Sequence, residues 1–145
     1  MRFLTRAGVY GIRAALYLAA QDEPTASPVR IKDIADSLDI SFHFLTKILQ
    51  RLTEKGIVKA VRGPNGGVVL AHPPNEIMLL DLLTVLEGAD FFEGCILGLK
   101  ECSDERPCPA HTLWKPARTS LHLLFETSSL LDMGEKILTG EIHIN

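Results

Sequence analysis

The sequence predicts a mainly α-helical chain with one small β-hairpin set into it. Three observations carry that expectation. Apolar residues recur at three- and four-residue spacing in several separate segments. Two short β-branched runs flank a glycine-rich tip. The last third carries an apolar stripe long enough for a helix–helix seam. With 145 residues, 46% hydrophobic and 23% charged, the chain has the make-up of an ordinary globular protein able to bury a core.

Taken in order, the first helix is expected over about residues 3–20, where Ala7, Tyr10, Ala14, Tyr17 and Leu18 share a face. Pro24, Ser27 and Pro28 make 21–28 a connecting loop. Arg30 to Leu38 is a short amphipathic helix with Ile31, Ile34, Ala35 and Leu38 inward, and Asp39 and Ile40 form the turn after it. Ser41 stands where its hydroxyl can cap a further helix, Phe42 to about Lys55. Leu45, Ile48, Leu49 and Leu52 are the inner face of that helix, and Gly56 ends it. Two strand-like runs follow, Ile57 to Val61 and Val68 to Ala71, around the tip Arg62-Gly-Pro-Asn-Gly-Gly67. Helix, turn, helix and glycine-tipped hairpin make residues 1–72 a winged helix-turn-helix, expected to be a DNA-binding domain.

Pro73-Pro74 marks a boundary. Beyond it, Glu76 to Glu87 reads as a helix with Ile77, Leu80, Leu82, Leu83 and Leu86 on its apolar face, closed by Gly88. Residues 89–109 hold Gly94, Gly98, Pro107 and Pro109 and read as a loop. A single long helix is expected from about 110 to 138, where Trp114, Ala117, Leu121, Leu124, Leu131 and Leu138 follow an alternating three–four spacing widened by Leu123, Leu130 and Ile137. At ~1.5 Å per residue it would span roughly 30 Å, which favours pairing with a second subunit. Residues 73–145 are thus read as a sensing loop followed by a dimerisation helix.

Charge and chemistry sharpen the division. Residues 1–72 carry a net +4 and residues 73–145 a net −7, so a basic half can meet phosphates while the acidic half stays clear of them. At the start of the second helix of the pair, Ser41, His43, Thr46 and Lys47, with Gln50 and Arg51 a turn on, are placed to reach base edges. Arg62, Gly63, Asn65 and Gly66 of the wing would lie at the minor groove, where arginine favours narrow A·T-rich sequence. Arg2, Arg6 and Arg13 would meet phosphates. No segment approaches the ~20 apolar residues of a membrane span, and the N-terminal residues lack the apolar run of a secretory signal. A reducing cytoplasm is therefore expected. No P-loop, dinucleotide fingerprint or nucleophile–base motif is present, so an enzyme is not expected.

All three cysteines, Cys95, Cys102 and Cys108, fall within fourteen residues, and His111 follows the last by three. An odd cysteine count argues against a disulfide framework. Clustered thiolates with a histidine suit an iron–sulfur cluster, a Cys₃His zinc site or reversible thiol oxidation.

The motifs Leu4-Thr5-Arg6-Ala7, Tyr10-Gly11-Ile12-Arg13, Phe44-Leu45-Thr46-Lys47-Ile48-Leu49 and Val61-Arg62-Gly63-Pro64-Asn65-Gly66-Gly67, with the cysteine run, resemble the IscR/NsrR-type winged-helix transcriptional regulators over nearly the whole chain. That resemblance implies a homodimer with crossing long helices, a partly palindromic double-stranded DNA operator, and DNA affinity set by an iron–sulfur cluster in the loop. It makes Cys95, Cys102 and Cys108 the thiolate ligands. His111 matches the fourth ligand of the 2Fe–2S members, so 2Fe–2S is expected over 4Fe–4S. The nitric-oxide-sensitive members use an acidic residue of the partner's first helix, whereas Ala7-Gly8-Val9 offers no carboxylate. One departure is the six residues between Cys95 and Cys102, one more than expected in those members. Pro109 suits a first helical turn, so Cys108 and His111 are expected one turn apart, facing the same iron.

Overall fold

The computed structural model describes residues 3–138, and side chains as far as residue 135. Arg2, and the side chains of Ile137 and Leu138 in the expected seam, lie outside the described residues. The element order is α1 (Arg6–Ala19), α2 (Ile31–Leu38), α3 (Phe42–Glu54), β1 (Val58–Val61), β2 (Gly67–Leu70), a 3₁₀ turn (Pro74–Glu76), α4 (Leu79–Glu87), α5 (His111–Thr127) and α6 (Leu130–Leu138). The mainly helical fold with a two-stranded wing is as the sequence predicts.

Local side chains and backbone turns satisfy unpaired groups at several helix ends. Thr5 caps α1 by accepting from the Gly8 amide at 3.1 Å. Asp39 ends α2 in the left-handed conformation (φ 52°), a region that aspartate tolerates better than most side chains. Ser41 precedes α3 as expected, but its hydroxyl makes no capping bond; its carbonyl accepts from Leu45 instead. Asp81 supports the start of α4 by accepting from the Met78 amide at 2.9 Å.

In the wing, Val58 pairs with Leu70 and Val61 with Gly67 in an antiparallel register. Val29, just before α2, adds a bridge to Val68 and ties the hairpin to the helix pair. Gly67 is required there: a Cβ would stand 2.3 Å from the Val29 carbonyl oxygen.

One hydrophobic core runs through both halves of the chain. Ala14, Ala15 and Leu18 of α1 meet Ile34 and Leu38 of α2, Leu45, Ile48, Leu49 and Leu52 of α3, and Leu82, Leu83 and Leu86 of α4. Helix α6 also packs on α1, and Leu130 is fully buried. The α1–α4 approach is close at Gly11, where a Cβ would lie 2.5 Å from Leu86 Cδ1. Sequences beyond Pro73-Pro74 therefore complete the core that holds α1, α2 and α3.

The single helix expected over about 110–138 is two helices. Ser128 is extended (φ −97°, ψ 117°), and its carbonyl accepts from the Leu79 amide, while Leu130 donates to the Ile77 carbonyl. Ser129 then caps α6 reciprocally, with its amide on Asp132 Oδ2 at 3.1 Å and its hydroxyl accepting from the Asp132 amide at 3.2 Å. The break lets α6 return onto α1, which a straight helix could not do.

Candidate functional site

Two faces bear on function. On α3 the core residues lie along one side, and helical spacing puts His43, Lys47 and Gln50 on the opposite one. All three are exposed, as are Ser41 and Arg51, and Thr46 is half-buried. The Thr46 hydroxyl donates to the Phe42 carbonyl at 2.7 Å, so its donor is engaged within the helix. Phe42, the exposed first residue of α3, stacks edge-to-face on His43 with ring centres 5.6 Å apart. Arg51 differs from its neighbours, since its Nη2 donates to the Val85 and Leu86 carbonyls at the end of α4. The expected base-edge reader is thus engaged inside the molecule. Arg62, Gly63 and Asn65 are exposed on the wing and Gly66 half-buried; Gly63 has φ 115°, a conformation that glycine adopts without strain. Arg6 is exposed on the first turn of α1.

The cysteine site is built by the loop between α4 and α5 folding back on the start of α5. The loop leaves α4 through Gly88 (φ 116°), and the Cys108–His111 turn closes by a bond from the His111 amide to the Cys108 carbonyl. Arg118, two turns along α5, holds the loop down. Its Nη1 donates to the Gly94 carbonyl at 3.2 Å and the Glu93 carbonyl at 3.4 Å, and stands 3.5 Å from Cys102 Sγ. Trp114 Nε1 adds a bond to the Gly94 carbonyl at 3.3 Å. Trp114, Lys115 and Arg118 all reach back to the loop from α5, and Lys115 and Arg118 are residues that cysteine spacing alone does not point to.

The four expected ligands come together as two pairs. Cys95 Sγ lies 3.6 Å from Cys108 Sγ, and Cys102 Sγ lies 3.7 Å from His111 Nδ1. Cys108 and His111 were expected to share a partner, but loop folding places each against a more distant cysteine. The three cysteines are half-buried and His111 is buried. Among the described residues no three His, Cys, Asp or Glu side chains gather closely enough to hold one metal ion. Two donors on one tetrahedral metal lie about 3.8 Å apart when both are thiolates with bonds of about 2.3 Å, and about 3.6 Å apart when one is imidazole. Both pairs have the separation of two ligands on one tetrahedral metal. Thiolate and imidazole are the kinds of donor that hold iron–sulfur centres, so the residues present fit such a group.

The surroundings of Cys95 favour anionic sulfur. Backbone amides of Leu97 and Leu99 hydrogen-bond Cys95 and lower its thiol below the ordinary cysteine value, with the Cys108 thiol and Gly98 adding to the effect. The second nitrogen of His111, Nε2, lies 2.8 Å from Asp104 Oδ1, and Lys115 Nζ contacts both oxygens of that carboxylate at 2.8 and 2.6 Å. Hydrogen bonding to Lys115 and then to His111 holds the Asp104 carboxyl below its usual value.

A winged helix carrying an exposed recognition face, joined through α4 to a loop rich in paired donors, defines a DNA-binding transcriptional regulator. Residues 4–136 match the Rrf2 family, described as iron-dependent transcriptional regulators, and the chain belongs to that family. These are regulators rather than enzymes. The chain is similar to the HTH-type transcriptional regulator IscR of Pectobacterium atrosepticum, with 32% identity over 112 residues, 77% of this chain and 66% of that protein. Among solved structures, CymR, the global cysteine regulator of B. subtilis, matches with a TM-score of 0.76 and 29% identity over 93% of this chain and 98% of its own. IscR of T. potens matches with a TM-score of 0.75 and 26% identity, covering 99% of this chain and 93% of that one. Among the described residues no helix is long and apolar enough to cross a membrane.

Proposed function

We propose that this chain is a homodimeric, cytoplasmic repressor that binds a partly palindromic operator and responds to redox, iron–sulfur or nitric oxide status through a 2Fe–2S cluster held by Cys95, Cys102, Cys108 and His111. The observation that carries the reading is the partition of those four side chains into a Cys–Cys and a Cys–His pair, each with the separation of two ligands on one metal. A mononuclear zinc site would need all four donors around one centre, and 4Fe–4S would need a different distribution. When bound, such a cluster supplies a centre that changes charge on reduction and is dismantled by oxidants or nitric oxide.

The chain's own residues supply the rest. The backbone amides around Cys95 favour its thiolate over the thiol, and Arg118 Nη1 stands 3.5 Å from Cys102 Sγ. Arg118 and Trp114 fasten the loop to α5, so a change in the four donors alters how the loop sits between α4 and α5. Linkage then requires that the two states of the loop differ in their affinity for DNA. On the DNA side, His43, Thr46, Lys47 and Gln50 form the major-groove face, and Arg62 the minor-groove contact. The exposed Leu113, Leu123 and Leu124 of α5 supply the apolar face for the second protomer. The test is operator binding, with the operator selected from random duplexes, measured for cluster-loaded and cluster-free protein at one salt concentration. Equal affinity in the two states would remove the sensing role.

A cluster-free alternative rests on the same pair of sulfurs. With the Cys95 thiol lowered and Cys108 3.6 Å away, hydrogen peroxide could oxidise the two thiols to a disulfide, taking up their two hydrogens to become two waters. Retained regulation by a chain that never takes up iron, lost in Cys95→Ser, would select this reading.

A further inference from the structure

His111 is held from both sides, and only one side faces a sulfur. Its ring is buried on α5. Nδ1 looks toward Cys102 Sγ at 3.7 Å, and Nε2 toward Asp104 Oδ1 at 2.8 Å. Lys115 follows His111 by one turn on the same helix face, and its ammonium grips both Asp104 oxygens. Asp104 belongs to the loop between Cys102 and Cys108, so the loop itself delivers the carboxylate to the histidine that closes the site.

The geometry points to Asp104, steadied by Lys115, as the positioning residue that fixes His111 in the Nε2–H form and offers Nδ1 to the cluster. A carboxylate only accepts hydrogen bonds, so the short contact requires the proton on Nε2. A neutral imidazole with its proton there has its lone pair on Nδ1, the nitrogen beside Cys102. Metal-bound histidines commonly donate their second N–H to a carboxylate in this way, which fixes the ring and makes it a stronger electron donor. Lys115 then tempers the donor by sharing the negative charge of Asp104.

This inference rests on the cluster reading above, and the experiment separates the two. Cluster-loaded wild type, Asp104→Asn, His111→Cys and the double variant are compared by midpoint potential, alongside iron and sulfide counts. Asp104→Asn is expected to raise the potential in the wild-type background, because the histidine becomes a weaker donor. The shift is expected to collapse in the His111→Cys background, where Asp104 has no imidazole to act through. An equal shift in both backgrounds marks a simple charge effect and overturns the proposal, as does no shift in either. In cluster-free ¹⁵N-labelled protein, an exchange-protected His111 Nε2–H resonance is expected and is lost in Asp104→Ala. A proton on Nδ1, or a resonance unchanged by Asp104→Ala, overturns the assignment. If no chain takes up iron or sulfide, the cluster reading fails by itself, and the resonance still decides how His111 is held.

Discussion

Arg51 on the recognition helix donates from Nη2 to the carbonyl of Val85 on α4 at 2.6 Å, with Leu86 at 3.2 Å completing the contact. The last carbonyls of a helix lack intrahelical partners, and a cation there satisfies them and complements the helix dipole. Residues 85 and 86 are also the last turn before Gly88 opens the cysteine loop. The recognition helix is therefore fastened directly to the root of that loop. Arg51→Ala is expected to lower stability by about 1 kcal/mol, discounted for its exposure, seen as a lower denaturant midpoint. Loss of a phosphate contact would instead reduce the salt dependence of DNA binding by about one unit of slope. An unchanged midpoint with a reduced slope would make Arg51 a DNA contact after all.

A second fastening joins α4 to α1. Glu87 Oε1 accepts from the Thr5 amide at 2.8 Å and the Thr5 hydroxyl at 2.7 Å. Six residues beyond Thr5, Gly11 lets Leu86 lie against the α1 backbone. Alanine normally gains up to about 1 kcal/mol over glycine within a helix. At Gly11 the sign is expected to reverse, with Gly11→Ala costing about 1–3 kcal/mol through overpacking against Leu86 and Ile48. Thermal unfolding measures this, and a raised midpoint would contradict the packing described.

DNA recognition makes a separate prediction. Lys47→Ala and Arg62→Ala are each expected to weaken operator binding, by about 1–3 kcal/mol where a base contact is lost. Lys47→Ala should relax base preference in the major groove, whereas Arg62→Ala should reduce the preference for a narrow A·T-rich flank. Fluorescence anisotropy on operator variants tests both, and binding unchanged in both variants would displace the proposed face.

Association is predicted from α5. Leu113 is 82% exposed, Leu123 57% and Leu124 55%, an unusual share of leucine surface for one helix. The double substitution Leu123→Glu/Leu124→Glu is expected to give a monomer by sedimentation equilibrium. A wild-type monomer, or a charged variant that remains dimeric, would rule out this face.

Much of this arrangement is legible in the sequence, for identifiable reasons. Periodicity placed α1 to α4 because one buried face repeats at helical spacing, and the glycine tip placed the wing because only certain residues tolerate its turns. The break between α5 and α6 was hidden because the apolar stripe continues across it. The signal for the break lay in Ser129 and Asp132, a capping pair three residues apart. The cysteine segment marked out its donors but not their pairing, since spacing along a loop does not fix which donors meet. The roles of Asp104, Lys115 and Arg118, and the bond from Arg51 to α4, are not legible because charged residues on a loop or helix surface carry no local mark of a long-range hydrogen bond.

The most direct test of the central claim is an iron and sulfide count, with a visible spectrum, on anaerobically purified protein. The account predicts about two irons and two sulfides per chain, with absorption lost in Cys108→Ser and altered in His111→Ala. A colourless chain that takes up neither iron nor sulfide on reconstitution would contradict it.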